Sequence, residues 1–263
     1  MNLINKQLEK IKKEGKIGLM THVIVGYPSL EKTERLVQIM EDSGVDLVEL
    51  QIPFSDPLAD GPTIMKASEK ALVNGTKVED AFRLASKLSE KVKIPLLFMA
   101  YFNNVFKYGV KRFCQDAKKA GISGLIVPDM PLEEEREEHF LKNCAECDLY
   151  SIRVISPASN PDRLKKNAKI SKGFVYFTAR QGITGAQKEI DPKVAQYLKE
   201  VRKYFKVPIA VGFGISSKGR VEQIKPYCDI VVVGSALIDI IEQSDGKNIE
   251  REVKSFINSL IIS

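Results

Sequence analysis

The sequence predicts an α/β protein in which eight parallel β-strands alternate with helices and close into a (β/α)8 (TIM) barrel. Short apolar, β-branched runs recur along the 263 residues at a spacing suited to a strand, a helix and two loops. Amphipathic helical patterns lie between these runs, and several end in Gly, which often follows a helix. The turn after the first run reads GYPSLEK rather than G-x-G-x-x-G, so a doubly wound open sheet is the second choice.

The elements follow one another without a linker-like or low-complexity stretch, which predicts a single domain. An N-terminal helix is expected at 1–16, the barrel at about 17–241 and a C-terminal helix at 242–263. Helical patterns between strands include 31–44, 106–121 and 192–205. The eight predicted strands are 17–25, 46–52, 94–100, 124–128, 150–155, 173–178, 207–212 and 229–234.

Composition excludes several classes of protein. Hydrophobic residues make up 44% of the chain, and no apolar run reaches the roughly 18 residues of a membrane span. The basic start has no apolar signal core and is interpreted as a surface helix, and the few cysteines indicate a reducing, cytoplasmic compartment. The net charge is +6, but the lysines lie among acids and no basic patch interleaved with aromatic residues occurs, so no nucleic acid partner is expected.

The cysteines predict neither a disulfide framework nor a metal site. Four are too few for a disulfide scaffold in a chain of this length. Cys144 and Cys147 form a C-x-x-C near the end of a predicted helix, without the second pair that zinc requires. Packing on a helix face is the favoured interpretation, and a redox pair is the alternative. The four cysteines of the chain are Cys114, Cys144, Cys147 and Cys228.

The segment VELQIPFSDPLADGPT, residues 48–63, carries the strongest functional signal. Side chains alternate along a strand, so Glu49 and Gln51 share a face that is opposite to Val48 and Leu50. The apolar face should contact the helices, which points Glu49 into the barrel near the C-terminal mouth, where barrel enzymes keep their active sites. A structural acid paired with a buried base is the alternative for Glu49.

The loop after this strand presents two more carboxylates, Asp56 and Asp60. Prolines 53, 57 and 62 restrict its backbone, which reduces the entropy cost of holding the acids in place. Turn formation by Asp56 and capping of the next helix by Asp60 are the structural alternatives.

Two glycine-rich loops predict a phosphate site. They are GFGIS (212–216) and GSALI (234–238), after the seventh and eighth strands. In barrels these loops often bind phosphate, together with a helix N-terminus. A third such loop, RQGITGA (180–186), follows the sixth strand and is expected to act as a lid.

Longer motifs resemble one family. PFSDPLADGPTI, YFNNVFKYGV, GFVYFTARQGITGA, VGFGIS and VVVGSALI occur in order between about 17 and 241, and the chain resembles the tryptophan synthase α chain. The resemblance implies retro-aldol cleavage of indole-3-glycerol phosphate to indole and glyceraldehyde 3-phosphate. It also implies a β chain, joined in an α2β2 complex, that carries pyridoxal phosphate; no cofactor is expected in this chain.

Site residues carry over motif by motif. Glu49 matches the general acid/base, and Asp60 matches the acid that hydrogen-bonds the indole N–H. Thr184 matches the lid residue that reaches Asp60 when the site closes. The other matches are substrate-binding positions: Tyr101 and Ile126 in the pocket wall, Tyr176 beside the reacting centre, and Gly185, Phe213, Gly214, Gly234 and Ser235 at the phosphate.

Some positions differ from the family pattern. His22 stands on the first strand where an aromatic residue is common, and it is expected either in the core or on the substrate. Gln51 stands where Gly is common, so the pocket should be more polar than an indole ring requires. Tyr27 and Pro128 differ in turns. Other functions remain open: a related lyase acting alone on another substrate, or a weakly catalytic subunit that mainly activates a β chain.

Overall fold

The computed structural model describes residues 1–178, 191–212 and 214–261. Its eight strands pair in parallel in the order β1 to β8, and β8 pairs with β1 to close the barrel. The predicted fold class is therefore confirmed, and the open-sheet alternative is excluded. The strands are β1 Gly18–Ile24, β2 Leu47–Gln51, β3 Leu96–Met99, β4 Gly124–Ile126, β5 Tyr150–Ile155, β6 Val175–Phe177, β7 Ile209–Val211 and β8 Ile230–Val233.

Helices connect the strands on the outside of the barrel. Two short 3₁₀ turns, Leu132–Glu134 and Lys225–Tyr227, interrupt the pattern. The α-helices are α1 Leu3–Glu14, α2 Leu30–Asp42, α3 Pro62–Val73, α4 Val78–Lys91, α5 Phe102–Tyr108, α6 Val110–Lys119, α7 Glu135–Glu138, α8 Phe140–Glu146, α9 Pro161–Ile170, α10 Pro192–Tyr204, α11 Lys218–Ile224, α12 Ser235–Gln243 and α13 Ile249–Leu260.

Two helix boundaries differ from the sequence prediction. The pattern at 106–121 is divided at Gly109, whose φ of 93° no helix accommodates. The C-terminal helix begins at Ile249 rather than at 242. Asp245 accepts hydrogen bonds from the backbone N–H groups of Lys247 and Asn248, and this turn separates α13 from α12.

The alternation of β2 has the predicted consequence. Val48, Leu50 and Ile52 belong to the hydrophobic core between strands and helices, whereas Leu47 belongs to a separate core inside the barrel. Glu49 is only 1% exposed, on the inner face. Burial of a carboxylate is costly without partners, so its surroundings are informative.

Helix α1 closes the bottom of the barrel. Its buried Ile4 and Ile11 belong to the inner core. Asn2, just before the helix, donates from Nδ2 to the carbonyl of Ser123 at 2.9 Å, and Gln7 donates to Asp46 at 2.7 Å; both acceptors lie just before strands. Because α1 covers this end, the opposite, C-terminal end is the one left for a ligand.

Two of the cysteines pack on helix faces, while Cys147 lies at the end of α8 and Cys228 just before β8. Cys114 of α6 and Cys144 of α8 are buried, with their Sγ atoms 3.9 Å apart, and all four thiols are free. Within the described residues, no helix has the length and apolar character needed to cross a membrane.

Candidate active site

A cavity of about 1290 Å³ opens at the C-terminal mouth of the barrel. Strands and loops from most of the barrel contribute to its wall, which fits the usual position of barrel active sites. Every predicted site residue that the structure describes lines it: His22, Glu49, Asp60, Tyr101, Ile126, Tyr176, Gly214, Gly234 and Ser235.

Glu49 is held by two neighbours inside the barrel. His22 lies beside it in the β1–β2 register, with Nδ1 3.1 Å from Glu49 Oε2. The hydroxyl of Tyr176 on β6 donates to the same oxygen at 3.4 Å. Both contacts fall on Oε2, and among the described residues no hydrogen bond is made to Oε1. His22 therefore belongs to the site, and it is the buried base that the structural interpretation of Glu49 required.

Burial and the charge of Glu49 together set the pKa values of both partners of Glu49. Burial alone would lower the pKa of His22, but the attraction and hydrogen bond of Glu49, with Asp60 and Gln51 acting in the same direction, leave that pKa raised above 6.5. Burial first, and then the charge of Glu49, raises the pKa of Tyr176 well above its usual value. Tyr176 is thus a neutral hydrogen-bond donor at neutral pH.

The second acid, Asp60, is joined to the same network. Gln51 donates from Nε2 to Asp60 Oδ2 at 2.6 Å. Burial raises the pKa of Asp60, an effect that His22, Gln51 and Tyr101 partly offset. The N-cap of α3 is Gly61, so Asp60 is not the capping residue. Asp56 is exposed and accepts from Ser55 Oγ.

The cavity wall formed by the loop after β8, next to His22, has the features of an anion site. Gly234 is the N-cap of α12, and Ser235 is its first residue. The carbonyl of Gly234 accepts from the N–H groups of Leu237 and Ile238. The N–H groups of Ser235 and Ala236 lie in the first turn, where no intrahelical partner exists and where the helix dipole favours negative charge.

Glycine at 212 is required by Tyr176, a relation that the sequence interpretation missed. A Cβ at this position would lie 2.4 Å from Cε2 and 2.5 Å from the hydroxyl of Tyr176. Gly212→Ala should therefore displace the ring that contacts Glu49. We expect a loss of about 1–3 kcal/mol in the free energy of unfolding and a fall in kcat.

Thermal denaturation and steady-state kinetics check this prediction. Gly219→Ala is the matched control, because the nearest atom to its added Cβ, outside its chain neighbours and its own helix backbone, is Ser217 Oγ at 4.0 Å, and alanine is favoured within α11. If the Gly212 variant matched the control in both measurements, the packing argument would be wrong.

Three charged residues of the cavity wall were not predicted as site residues: Asp129, Arg163 and Asp239. Asp129, just after β4, accepts a hydrogen bond from the N–H of Phe102 at 2.8 Å, and burial raises its pKa. Arg163 of α9 brings a positive charge to the wall. The position of Asp129 directly after a strand was a usable signal, whereas a surface-like lysine- and arginine-rich helix offered none for Arg163.

Of the two turn residues that differ from the family pattern, Pro128 lines the cavity and Tyr27 does not. Tyr27 is outside the cavity wall: its hydroxyl contacts Glu242, which also pairs with Lys70 at 2.5 Å. Thr184, Gly185, Phe213 and the expected lid at 180–186 lie outside the described residues. Across the described part of the chain, no three His, Cys, Asp or Glu side chains are grouped to hold a metal ion.

Comparisons with known proteins agree with this geometry. The model of the family "Tryptophan synthase alpha chain" matches residues 8–260. The tryptophan synthase alpha chain of Thermoanaerobacter sp. is 40% identical over 261 residues, covering 99% of this chain and 98% of that protein. The one from Desulfotalea psychrophila is 43% identical over 244 residues, covering 93% and 95%.

Solved structures extend the similarity to three dimensions. The crystal structure of tryptophan synthase subunit alpha from Legionella pneumophila superposes with a TM-score of 0.89 at 32% identity, covering 99% of this chain and 97% of that one. A structure of Mycobacterium tuberculosis tryptophan synthase gives 0.89 at 30% identity, covering 98% and 96%. With a barrel, a pair of carboxylates at its mouth and relatives matched over nearly the full length, the chain belongs to the tryptophan synthase alpha chain family.

Proposed function

We propose that this protein is the lyase that cleaves indole-3-glycerol phosphate to indole and glyceraldehyde 3-phosphate in tryptophan biosynthesis. One observation carries the proposal: two carboxylates, Glu49 and Asp60, line the same cavity as the N-terminus of α12. An indole ring needs groups that move a proton and stabilise positive charge, and a phosphate needs unpaired N–H groups.

Glu49 is the general acid/base of the reaction. It protonates the ring carbon that carries the glycerol chain, forming a C–H bond. The resulting carboxylate takes the proton of the neighbouring hydroxyl as the carbon–carbon bond breaks, so that the hydroxyl becomes the aldehyde and the electron pair returns to the ring. Tyr176 and His22 hold the carboxyl group during both transfers.

Asp60 supplies the electrostatic stabilisation that the reaction needs. As the ring carbon gains a proton, positive charge develops at the indole nitrogen, and a carboxylate hydrogen-bonded to the N–H stabilises it. Gln51 holds Asp60 from the side of the barrel through Oδ2. Tyr101, 1% exposed and stacked on Phe54 at 5.2 Å, contributes a wall against which the ring can pack.

The phosphate binds at Gly234 and Ser235, with Gly214 across the same cavity wall. Gly234→Ala tests this better than a change at Gly214, whose φ of 62° would strain any side chain. A Cβ at Gly234 would lie 3.5 Å from Cβ of His22, an ordinary contact, so the fold should tolerate it. Alanine keeps the backbone N–H, but its methyl group should hinder the approach of the phosphate to it. Loss of one hydrogen bond to a charged phosphate costs about 1.5–3 kcal/mol, so we expect KM to rise roughly 10- to 100-fold.

Substrate kinetics and a binding measurement check the phosphate site. A dephosphorylated analogue should bind the parent protein far more weakly than the phosphorylated compound and should not distinguish parent from variant. Equal binding of both compounds by the parent protein would place the phosphate elsewhere.

A β chain that carries pyridoxal phosphate is the proposed partner, in an α2β2 complex. Two exposed apolar side chains at the mouth support a docking surface: Leu58, 93% exposed, in the loop after β2, and Phe106, 57% exposed, on α5. The loop and the helix are adjacent, since Asn104 Nδ2 donates to the Pro53 carbonyl at 3.5 Å. The indole released here would be consumed by that partner.

Indole release from indole-3-glycerol phosphate, measured with and without an added β chain, tests the proposal and separates its alternatives. We expect release in both cases and a faster rate with the β chain. Equal rates would favour a lyase that acts alone. Release in neither case would contradict the proposed function and leave the partner-activating role.

A further inference from the structure

The strongest unexplained feature of the site is the imidazole of His22. It is 7% exposed, it lines the cavity, and its Nδ1 is engaged by Glu49. Among the described residues, its Nε2 and the Oε1 of Gln51 are both buried without a hydrogen bond, although Gln51 lies close enough to raise the His22 pKa. Buried polar atoms are rarely left unpaired unless they have a function. The ring also lies directly under the loop after β8, since its atoms approach the position of a Gly234 Cβ to within 3.5–3.8 Å.

The charged groups that act most strongly on this ring are acids. From β2, Glu49 contacts Nδ1, and from the loop after β2, Asp60 acts at longer range. Tyr176 of β6 reaches the same group through Glu49. On the β8 side the neighbours are Gly234 and the apolar Val232. Asp239 of α12 lines the same cavity and accepts from Thr63 Oγ1 at 3.2 Å. Arg163 of α9 lines the same cavity, but the main influences on the His22 pKa are burial, Glu49, Asp60 and Gln51, none of which is positive.

We propose that His22 and Glu49 form a pair that holds one proton, with His22 keeping this proton in the resting protein and returning it to Glu49 for the reaction. The inference rests on the proposed function and assigns to His22 a positioning role, because it acts through Glu49. In the resting state an imidazolium donates from Nδ1 to a carboxylate. A charge-assisted bond of this kind is stronger than a neutral one.

The pair holds the same number of protons before and after the reaction. The Nδ1 proton passes to Glu49, which leaves a neutral imidazole and a carboxylic acid. The terminal torsion of a glutamate is broad, so either oxygen can turn to the ligand. The acid gives its proton to the ring carbon, the carboxylate accepts the hydroxyl proton as the carbon–carbon bond breaks, and the pair again holds one proton.

The titration of the pair predicts the pH dependence of kcat. Since the pKa of His22 is raised above 6.5, the pair keeps its proton below that pKa and loses it as the pH rises through it. The alkaline limb of kcat should therefore follow the titration of His22. A histidine that only fills space would have no such relation to the rate.

Nuclear magnetic resonance gives a test that needs no substrate. The chain has two histidines, His22 and the exposed His139, and His22→Phe assigns the two imidazole signals. We expect His22 to titrate above 6.5 and its pKa to move down in Glu49→Gln, because burial then acts with less opposition. A His22 pKa that does not respond to Glu49→Gln would overturn the pair.

Kinetics test the catalytic part of the inference. His22→Asn keeps a side-chain N–H donor but has no proton to give up near neutral pH. We expect kcat to fall at least tenfold with KM changed less, and the alkaline limb to leave the pH at which His22 titrates. His139→Asn is the matched control, since Asn tolerates the φ of 52° at this position, and it should keep the parent profile.

Failure of the proposed function and failure of the inference about His22 would give different results. If the parent protein released no indole, the proposed function would be contradicted, and with it the reaction role of the pair, whereas the titration would still report whether the pair exists. If the parent is active and His22→Asn keeps both its kcat and its alkaline limb, His22 has no part in the proton cycle and the inference is wrong.

Discussion

Glu49→Gln is expected to lower kcat by about 10²–10⁴-fold, the range that general acid–base catalysis contributes. Gln has nearly the same volume and can still accept hydrogen bonds from His22 and Tyr176 through its oxygen. It cannot exchange a proton with the substrate. The effect should fall on kcat, with KM for indole-3-glycerol phosphate changed little.

Steady-state kinetics with a melting curve check the prediction. Removal of one partner of a buried pair is destabilising when the other stays charged, but His22 can shed its proton, so the fold should persist. Glu222→Gln, an exposed position on α11, is the control for loss of a carboxylate as such. A folded Glu49→Gln protein with the parent kcat would show that Glu49 is not the acid/base.

Asp60→Asn is the change with the second-largest expected effect. It leaves volume and hydrogen bonding similar, because the amide oxygen can accept from Gln51. It removes the charge that stabilises the ring nitrogen, and loss of one such electrostatic contact lowers kcat on the order of 10²–10³-fold.

The pH profile gives Asp60 a second signature. Because burial raises its pKa, the active carboxylate is lost as the pH falls through a value above the usual 3.8. The parent protein should therefore show an acid limb above that value, and Asp60→Asn should lack it. Asp56→Asn, an exposed acid in the same loop, serves as control. If the acid limb of the pH profile were unchanged in Asp60→Asn, the titration of another group would be its cause.

The eight strands could be predicted because each is a short apolar, β-branched run, and the inner position of Glu49 because side chains alternate along a strand. In β2, apolar residues at 48, 50 and 52 define the outer face, and the inner residues follow from the period of two. That the glycine-rich loops after the seventh and eighth strands line one cavity could also be predicted, since these loops are neighbours in any such barrel.

The contacts between strands could not be predicted in the same way. That His22 lies beside Glu49, and that Gln51 reaches Asp60, depends on the β1–β2 register and on the course of a loop. The sequence therefore left His22 equally open as a core residue or a ligand contact, and treated Gln51 only as a polar residue in the pocket. The need for glycine at Gly212 could not be predicted for the same reason, because it comes from the Tyr176 ring on a neighbouring strand.

Product stoichiometry tests the central claim most directly. Purified protein, incubated with indole-3-glycerol phosphate alone, should release indole and glyceraldehyde 3-phosphate in a one-to-one ratio, and Glu49→Gln should release neither at a comparable rate. Loss of inorganic phosphate instead of indole, or equal release by the parent and the Glu49→Gln variant, would contradict the account.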